Sequence, residues 1–410
     1  MKNIVIQSAY TYATLCERNL LDFATSKNLD GFFEETITVH PASTLEFDVN
    51  SKERYGKISI HYHSVGQIFV EAKAGRYWAI RNFQKLNFLL SQIGLLVFLL
   101  KLTRREKGLL IRAEDPRYNG VIGYLLTKVN RTPFIVGTWG NPDTIRQFTL
   151  RPLQPRIFPT VKAEELCEKF LMRRAKCVLV QNEDNFNYAV SYGARVENVK
   201  YFRLGNAIYP GHFLEPHSRH ANQDITMSDV NICTVSRLEK LKLVDHAIMA
   251  FADMKHKGAS QLYIFGDGNE KEALIDLSFR LGVADRVNFM GNVDQETLSQ
   301  MLIRMNLVLS PLMGRALTES ALAALPIVAY NIDCHPEIVK NNLSGILVKY
   351  LDYHAMARSA DYLVEHVEEC TEMGLVARTV ALDLMDPKKL IEEQRKVFSK
   401  LLQEYYKVEG

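Results

Sequence analysis

Two cations and two glycines in the second half of the sequence stand where ligand chemistry is expected, each directly after a short apolar run. Arg237 and Lys242 occur in "VSRLEKLKL", Gly266 in "FGDG" and Gly291 in "FMGN". Arginine and lysine in a loop after a strand are suited to binding an anion such as phosphate. The alternative is a pair of solvated surface cations, and the position directly after a strand favours phosphate binding. Gly266 alone is weak evidence, because any tight turn from strand to helix favours glycine.

A fourth loop, "PLMGRALTES", leads into an Ala/Leu-rich helical run. Gly314, Arg315 and Ala316 stand at its start, where a helix offers unpaired backbone N–H groups and a partial positive charge, so we predict that a diphosphate binds there. Glu319, one turn into the helix, would accept hydrogen bonds from ribose hydroxyls. The alternative for Glu319 is a carboxylate that only complements the helix dipole, with Thr318 as the cap.

The elements that must position these loops alternate between β-rich and helical patterns along the chain. Strands that are apolar almost throughout, separated by amphipathic helices, predict parallel sheets covered on both faces, which is an α/β fold. The alternation falters between 209 and 229, and we place a linker there between domains at residues 1–212 and 225–386. A final amphipathic helix, about 387–410, is able to pack on either domain.

The composition excludes several classes of protein. The chain has 410 residues, 47% hydrophobic and 24% charged, which predicts folding throughout rather than a long disordered tail. A formal net charge of +3 is much weaker than that of a dedicated nucleic-acid binder. Six widely spaced cysteines indicate neither a disulfide scaffold nor a zinc ribbon and fit a reducing cytoplasm. The start, "MKNIVIQSAY", is typical of a core strand rather than of a signal peptide.

The most apolar segment, "FLLSQIGLLVFLL" at 88–100, has two interpretations. Its 13 residues fall short of the roughly 20 that a membrane-crossing helix needs, which favours a buried helix. Because Lys101, Arg104, Arg105 and Lys107 follow at once, the alternative is a helix that lies on an anionic membrane surface.

Several ordered motifs of the second half resemble the donor domain of the retaining GT-B glycosyltransferases of family four. The segment "VSRLEKLKLVDHAIMAF" is similar to the family's G-R-L-x-x-x-K-G stretch, "DRVNFMGNV" to R-V-x-F-x-G-x-V, and "PLMGRALTESALAALPIV" to E-x-F-G-x-x-x-x-E-A-x-A-x-G-x-P-V. The resemblance implies a GT-B fold, with two Rossmann-like domains facing a central cleft and a C-terminal helix, about 387–410, that crosses back onto the first domain. It also implies that Arg237 and Lys242 hold the donor diphosphate and that backbone beside Gly291 meets the base.

Pro311 departs from the family pattern, since it stands where the first glutamate of the pair belongs and only Glu319 is retained. In the family the first carboxylate lies near the donor sugar or phosphate, and the second lies near the ribose. The departure therefore bears on sugar orientation or turnover more than on nucleotide binding.

The first half resembles the family's acceptor domain more loosely. Asn206 in "RLGNAIYPGHF" is the best-matched residue, and Trp139 in "PFIVGTWG" stands where the pattern often has His. Trp139 is equally interpreted as a stacking platform for a sugar ring or as a core or interface residue. Arg112, in "LLIRAED", is a further acceptor-side candidate. His61 and His63 share one strand face without a third ligand, which is more typical of a structural pair than of a metal site.

These features and the resemblance together predict a metal-independent glycosyltransferase, and the resemblance implies that it retains the configuration of the sugar. No Asp-x-Asp motif occurs, so Arg, Lys and a helix dipole would replace a metal's charge, and the nucleoside diphosphate sugar would be a co-substrate with no separate cofactor. The expected acceptor is a saccharide or lipid-linked saccharide of bacterial O-antigen or capsule synthesis, met in the cytoplasm or at the inner face of the membrane. The alternatives are a non-catalytic GT-B partner or saccharide-binding subunit, and a GT-B phosphorylase or epimerase.

Overall fold

The computed structural model describes residues 1–7, 10–17, 21–104, 106, 108–203, 205, 208–216 and 230–407. The chain divides into two compact units. The first comprises Met1–Ala207 together with Pro387–Gly410, and the second comprises Ile208–Asp386. The division falls at Ile208 rather than after residue 212 as predicted, because Ile208 packs in the core of the second unit and His212 contacts Gln295 there.

The strands and helices are numbered in chain order. The strands are β1 (Lys2–Ile6), β2 (Glu35–His40), β3 (Ser59–Ser64), β4 (Gln67–Glu71), β5 (Leu109–Ala113), β6 (Phe134–Thr138), β7 (Cys177–Val180), β8 (Val199–Tyr201), β9 (Val230–Val235), β10 (Ser260–Phe265), β11 (Val287–Gly291), β12 (Leu307–Ser310), β13 (Ile327–Tyr330) and β14 (Gly345–Val348). The helices are α1 (Tyr12–Glu17), α2 (Leu21–Thr25), α3 (Gln84–Thr103), α4 (Tyr118–Asn130), α5 (Pro142–Thr149), α6 (Val161–Met172), α7 (Glu183–Ser191), α8 (Val244–Asp253), α9 (Lys271–Arg280), α10 (Gln295–Leu302), α11 (Arg315–Leu322), α12 (His335–Ile338), α13 (Tyr353–Glu365), α14 (Val367–Met385) and α15 (Pro387–Lys407).

The first unit is built on an eight-stranded sheet in the order β3-β4-β2-β1-β5-β6-β7-β8. Neighbouring strands are parallel except β3, which is antiparallel to β4 at the edge. In the middle, Ile4 pairs in register with Ile37 on one side and Ile111 on the other, and all three are almost completely buried. Burial on both faces is what the apolar strand patterns predict, so the parallel α/β prediction is confirmed.

Helix α15 completes the core of the first unit. Phe398 is fully buried, with its ring centroid 5.9 Å from that of Phe33 and 5.5 Å from that of Phe202. Gln394 Nε2 also donates a hydrogen bond of 2.7 Å to the carbonyl oxygen of Arg203. The amphipathic pattern of the last helix thus buries its apolar stripe against the first unit.

Helix α3 is longer than the 13-residue apolar run from which it was predicted, because the mostly polar residues at 84–87 and 101–103 are also helical, and polar side chains anchor the helix to the rest of the unit. Asn87 Oδ1 accepts hydrogen bonds from the N–H groups of Arg76 and Tyr77, and Gln92 Nε2 donates to the carbonyl oxygen of Pro41. Among the described residues, α3 is the helix long and apolar enough to cross a membrane by length and composition, and 33% of its most apolar window is buried in the protein.

The second unit is built on a six-stranded parallel sheet in the order β11-β10-β9-β12-β13-β14. The chain starts at β9, adds β10 and β11 on one side, and then adds β12 to β14 on the other. The strand order therefore reverses between β9 and β12. In open α/β sheets this switch point, at the carboxyl ends of the strands, is where ligands bind.

Candidate functional site

The loop after β9 carries the two predicted cations to the switch point of the second sheet. The Arg237 side chain is 69% exposed, and its Nη1 donates a 2.6 Å hydrogen bond to Glu239 Oε1. Lys242 ends a short 3-10 turn, Lys240–Lys242, and is half-buried. Burial lowers the pKa of Lys242, and the nearby Arg237 cation lowers it further, while the Asp333 carboxylate opposes both. The structure therefore brings Arg237 and Lys242 close together.

The loop after β12, on the other side of the switch point, leads into α11. Gly314 is the residue before this helix, and a Cβ atom on it would meet nothing within 4 Å, so the approach to the first turn is open there. Arg315 and Ala316 begin the helix, where backbone N–H groups lack carbonyl partners one turn back. This geometry suits an anion, because the helix dipole adds to the N–H groups of the first turn.

Glu319 lies on the same face of α11 as Arg315. Its carboxylate is 2% exposed, and Arg315 Nε donates a 3.1 Å hydrogen bond to Glu319 Oε1. A buried carboxylate held by a half-exposed arginine is fixed in direction, which a surface carboxylate would not be.

His335, which was not among the predicted site residues, packs at this edge of the sheet. His335 is fully buried, with Nδ1 2.8 Å from the carbonyl oxygen of Tyr330 and Nε2 3.1 Å from that of Met313. Burial lowers the pKa of the His335 imidazole. The ring therefore lies against both the end of β13 and the residue that precedes Gly314, and the neutral ring can donate to one of the two carbonyl oxygens. Its signal in the sequence was only a histidine before a proline in "NIDCHPEIV".

His212 lies beside the second half of the site. It is 4% exposed, and its Nε2 is 3.1 Å from Gln295 Oε1. Burial lowers the pKa of His212, and the Glu319 carboxylate acts in the opposite direction. His212 thus belongs to the surroundings of Glu319, which no local pattern in "YPGHF" indicates.

Gly266 has a packing role, and its contact with the nucleotide stays a prediction. Its φ is +133°, and a Cβ atom there would lie 1.9 Å from the carbonyl oxygen of Ser236. Its N–H already donates a 2.7 Å hydrogen bond to the carbonyl oxygen of Gly291. Gly266 therefore lets the loops after β9 and β10 approach each other. Gly291 has φ +70° and open space beside its Cα, which keeps it available to a ligand.

The acceptor-side candidates of the first unit lie mostly in its core. Arg112 is 1% exposed and stands between the rings of Phe202, at 5.5 Å, and Phe398, at 5.7 Å. Burial lowers the pKa of Arg112, and Glu114 opposes this. Trp139 packs over Gly137, where a Cβ atom would lie 2.5 Å from the indole. These contacts place Arg112 in the core and favour the core interpretation of Trp139, and the acceptor-side role of Arg112 stays a prediction. Asn206 lies outside the described residues.

No group of three His, Cys, Asp or Glu side chains is placed to hold a metal ion within the described ranges. His61 stacks on the ring of Tyr12 at 4.7 Å, and His63 Nδ1 lies 2.9 Å from Tyr12 Oη. The two histidines are therefore held in an aromatic cluster at the edge of the first sheet.

Residues 219–380 match the family model described as Glycosyl transferases group 1. We refer to residues 219–380 as the group 1 segment. The group 1 segment contains the candidate site residues of the second unit described above except His212, and it ends within α14.

Solved structures with the same architecture cover almost the whole chain. The Anabaena protein HepE, solved in complex with UDP, has a TM-score of 0.70 at 17% identity and covers 98% of this chain and 100% of its own. The lipopolysaccharide outer core galactosyltransferase WaaB has a TM-score of 0.65 at 14% identity, covering 98% and 100%. These likenesses establish that the group 1 segment is part of a GT-B fold, as predicted.

In sequence, the chain is 24% identical over 184 residues to N-acetyl-alpha-D-glucosaminyl L-malate synthase of Bacillus anthracis. The aligned part is 44% of this chain and 48% of the relative, so the chain spans about half the length of that protein.

Proposed function

We propose that this protein is a retaining glycosyltransferase that moves a sugar from a nucleoside diphosphate donor to an acceptor hydroxyl. One observation carries the proposal. At the switch point of the second sheet, the open N-terminus of α11 with Arg315 and Glu319 stands on one side, and Arg237 with Lys242 stands on the other. UDP in the complex of a protein with the same fold supports a diphosphate ligand.

The proposed chemistry depends on stabilising the diphosphate as it leaves the sugar. Arg237, Lys242 and the first N–H groups of α11 would bind the negative charge that develops, in place of a metal ion. Burial lowers the pKa of Lys242. A bound diphosphate would act in the opposite direction, because its negative charge stabilises the charged ammonium. Glu319 would accept hydrogen bonds from the ribose, and the acceptor hydroxyl would attack from the face that the diphosphate leaves.

The proposed acceptor is a lipid-linked saccharide at the inner face of the bacterial membrane. Helix α3 exposes a stripe of apolar side chains, and α4 beside it exposes two more: Leu86, Leu89, Ile93, Val97, Leu125 and Val129. Neither helix contains Asp or Glu. Exposed cations flank this basic-apolar face: Lys85, Lys101, Arg104, Lys128 and Arg131. Apolar insertion and attraction to anionic headgroups would act together on it.

A thermal-shift series tests the donor site. We would use UDP, GDP, ADP and dTDP with their hexose conjugates, on the wild type, Glu319→Ala and Lys242→Ala, with the exposed Lys240→Ala as the matched control. One nucleotide should stabilise the wild type by about 2.7 kcal/mol at a hundredfold excess over Kd. Both site variants should lose most of that shift, and the control should keep it.

The rival function, a non-catalytic GT-B partner, is favoured by Pro311, which places no carboxylate after β12. It predicts nucleotide binding without consumption of the donor, or no binding. If no nucleotide shifts the melting of the folded wild type, the donor site is wrong.

A further inference from the structure

His335 is a titratable group at the candidate donor site, and both of its ring nitrogens face carbonyl oxygens. Nδ1 is 2.8 Å from the carbonyl oxygen of Tyr330, at the end of β13, and Nε2 is 3.1 Å from that of Met313, the residue before Gly314. A neutral imidazole has one N–H and donates to one of these oxygens, whereas an imidazolium donates to both. The surroundings of the ring thus hold an acceptor for a second proton.

The neutral ring leaves one of the two carbonyl contacts without a hydrogen bond. Ser310 Oγ, at the end of β12, is 3.5 Å from Nε2 and is placed to donate to it when the ring proton is on Nδ1. The carbonyl oxygen of Met313 then faces a nitrogen lone pair instead of an N–H group. The loop that leads to Gly314 is therefore held more firmly when His335 carries a positive charge.

Burial and neighbouring charges decide how readily this ring is protonated. The ring is fully buried, and burial lowers the pKa of His335. The two carbonyl contacts and the Asp333 carboxylate of the same loop act in the opposite direction, and the Lys242 cation of the loop after β9 adds to the effect of burial. Near pH 7 the ring is therefore mostly neutral in the protein without a ligand.

A diphosphate bound at the start of α11 would change this balance. Its negative charge would lie next to Gly314, one residue along the chain from the carbonyl group of Met313 that faces the ring. It would also pair with Lys242, the cation that opposes protonation of His335 in the free protein. Both effects favour the charged ring.

We propose that His335 is a proton-linked positioning residue of the donor site: binding of the nucleoside diphosphate is coupled to uptake of a proton by His335, whose charged ring then donates to the carbonyl oxygens of both Tyr330 and Met313. This inference rests on the proposed function. The donor should bind more tightly at lower pH, because the complex holds more protons than the free protein does.

Calorimetric titration of the wild type measures the coupling. The probes are UDP-, GDP-, ADP- and dTDP-glucose, because a sugar conjugate lacks the terminal phosphate group that titrates near neutral pH. At each pH between about 5.5 and 8, the heat of binding in two buffers of different ionisation enthalpy gives the number of protons taken up. The wild type should take up part of a proton, at most one, per molecule bound. Its affinity should rise about tenfold as the pH falls across this range, the effect of one pKa unit.

His335→Asn should bind the same conjugate without taking up a proton, since its amide can donate to the carbonyl oxygen of Tyr330 but does not titrate. The matched controls are Lys242→Arg, His212→Gln and His246→Gln, which replace the other groups near the site whose pKa is lowered by burial. Whatever they do to the affinity, each control should keep the proton uptake.

If the wild type binds a conjugate without proton uptake, the inference is wrong and the proposed function stands. The inference is equally wrong if His335→Asn keeps the uptake, or if one of the three controls loses it. The wild type and the controls decide the question even if His335→Asn does not fold. A folded wild type that binds none of the four conjugates overturns the proposed function, and the inference with it.

Discussion

Lys27 is a buried cation in the first unit that carries a measurable electrostatic cost. Its side chain is 4% exposed, and Nζ lies 3.7 Å from Glu114 Oε2 and donates to Gln7 Oε1. Burial lowers its pKa to about 8, Glu114 opposes this, and the neighbouring Arg112 cation lowers it further. Lys27 and Arg112 therefore share one carboxylate in a region with little water.

We predict that stability rises with pH because of Lys27. Between about 8 and 10.5, Lys27 is neutral in the folded chain and protonated in the unfolded chain, so the unfolded state binds more protons. From pH 8 to pH 10 the free energy of unfolding of the wild type should rise by on the order of 1 kcal/mol relative to Lys27→Met. Urea unfolding at the two pH values measures this.

The exposed Lys101→Met serves as the control and should follow the wild type, because its ammonium stays in water. If the difference between the wild type and Lys27→Met does not change with pH, Lys27 is charged in the folded chain throughout this range.

Single residues could be predicted from the sequence where a local rule fixes them. The rule that ligands bind in the loops after parallel strands predicted where Arg237, Lys242 and Glu319 lie, after β9 and β12, and their role stays a prediction. Arg112 and Trp139 could not be predicted in this way, because their burial depends on Phe202 and on Phe398, which lies in the last helix. His335 acts through carbonyl groups of two separate loops, and no spacing in the sequence encodes such a contact.

At the scale of elements, apolar runs and their turns predicted the parallel sheets, since strands buried on both faces read as nearly continuous hydrophobic stretches. Helix α3 was predicted too short, because its first turns are fixed by Asn87 and its inner face by Gln92, whose partners lie elsewhere in the first unit. The spacing of apolar residues contains no information about hydrogen bonds of this kind.

The exposed stripe of α3 should bind anionic vesicles. We expect the double variant Leu89→Ser with Ile93→Ser to bind vesicles of phosphatidylglycerol and phosphatidylcholine at least about tenfold more weakly, because each side chain contributes roughly 1.5 kcal/mol or more on leaving water. Co-sedimentation with vesicles at low salt measures this.

The control is Phe279→Ser, which removes an exposed apolar side chain from α9 in the second unit. It should not change vesicle binding. Equal binding by the wild type and the double variant, or no binding by either, would contradict a membrane role for the basic-apolar face.

At the scale of the whole molecule, one unit is a continuous segment of the chain and the other is made of two segments. The second unit is one continuous segment, Ile208–Asp386, whereas the first is made of Met1–Ala207 and the last helix. The amphipathic pattern of the last helix fitted either domain, and the family resemblance implied that the helix crosses back onto the first. Phe33 and Phe202, far away along the chain, decide this by packing on Phe398.

Phe398→Ala should destabilise the first unit by about 3–5 kcal/mol, the usual cost of removing a buried aromatic side chain. At temperatures where the first unit of Phe398→Ala is still folded, the second unit should bind the nucleotide as tightly as in the wild type. Limited proteolysis that follows fragments of each unit measures this, and Lys400→Ala, on the exposed face of the same helix, should leave the pattern unchanged. Equal loss of protection in both units would contradict a role confined to the first.

The position of α15 also determines when each unit can close during synthesis. Domains usually fold in order as the chain leaves the ribosome, at about 5–20 residues per second. The aromatic core around Phe33 and Phe202 cannot pack fully until Phe398 has been synthesised. The first unit therefore begins translation first but completes its core last. Until then its apolar surface is open to chaperones, and the second unit is free to fold ahead of it.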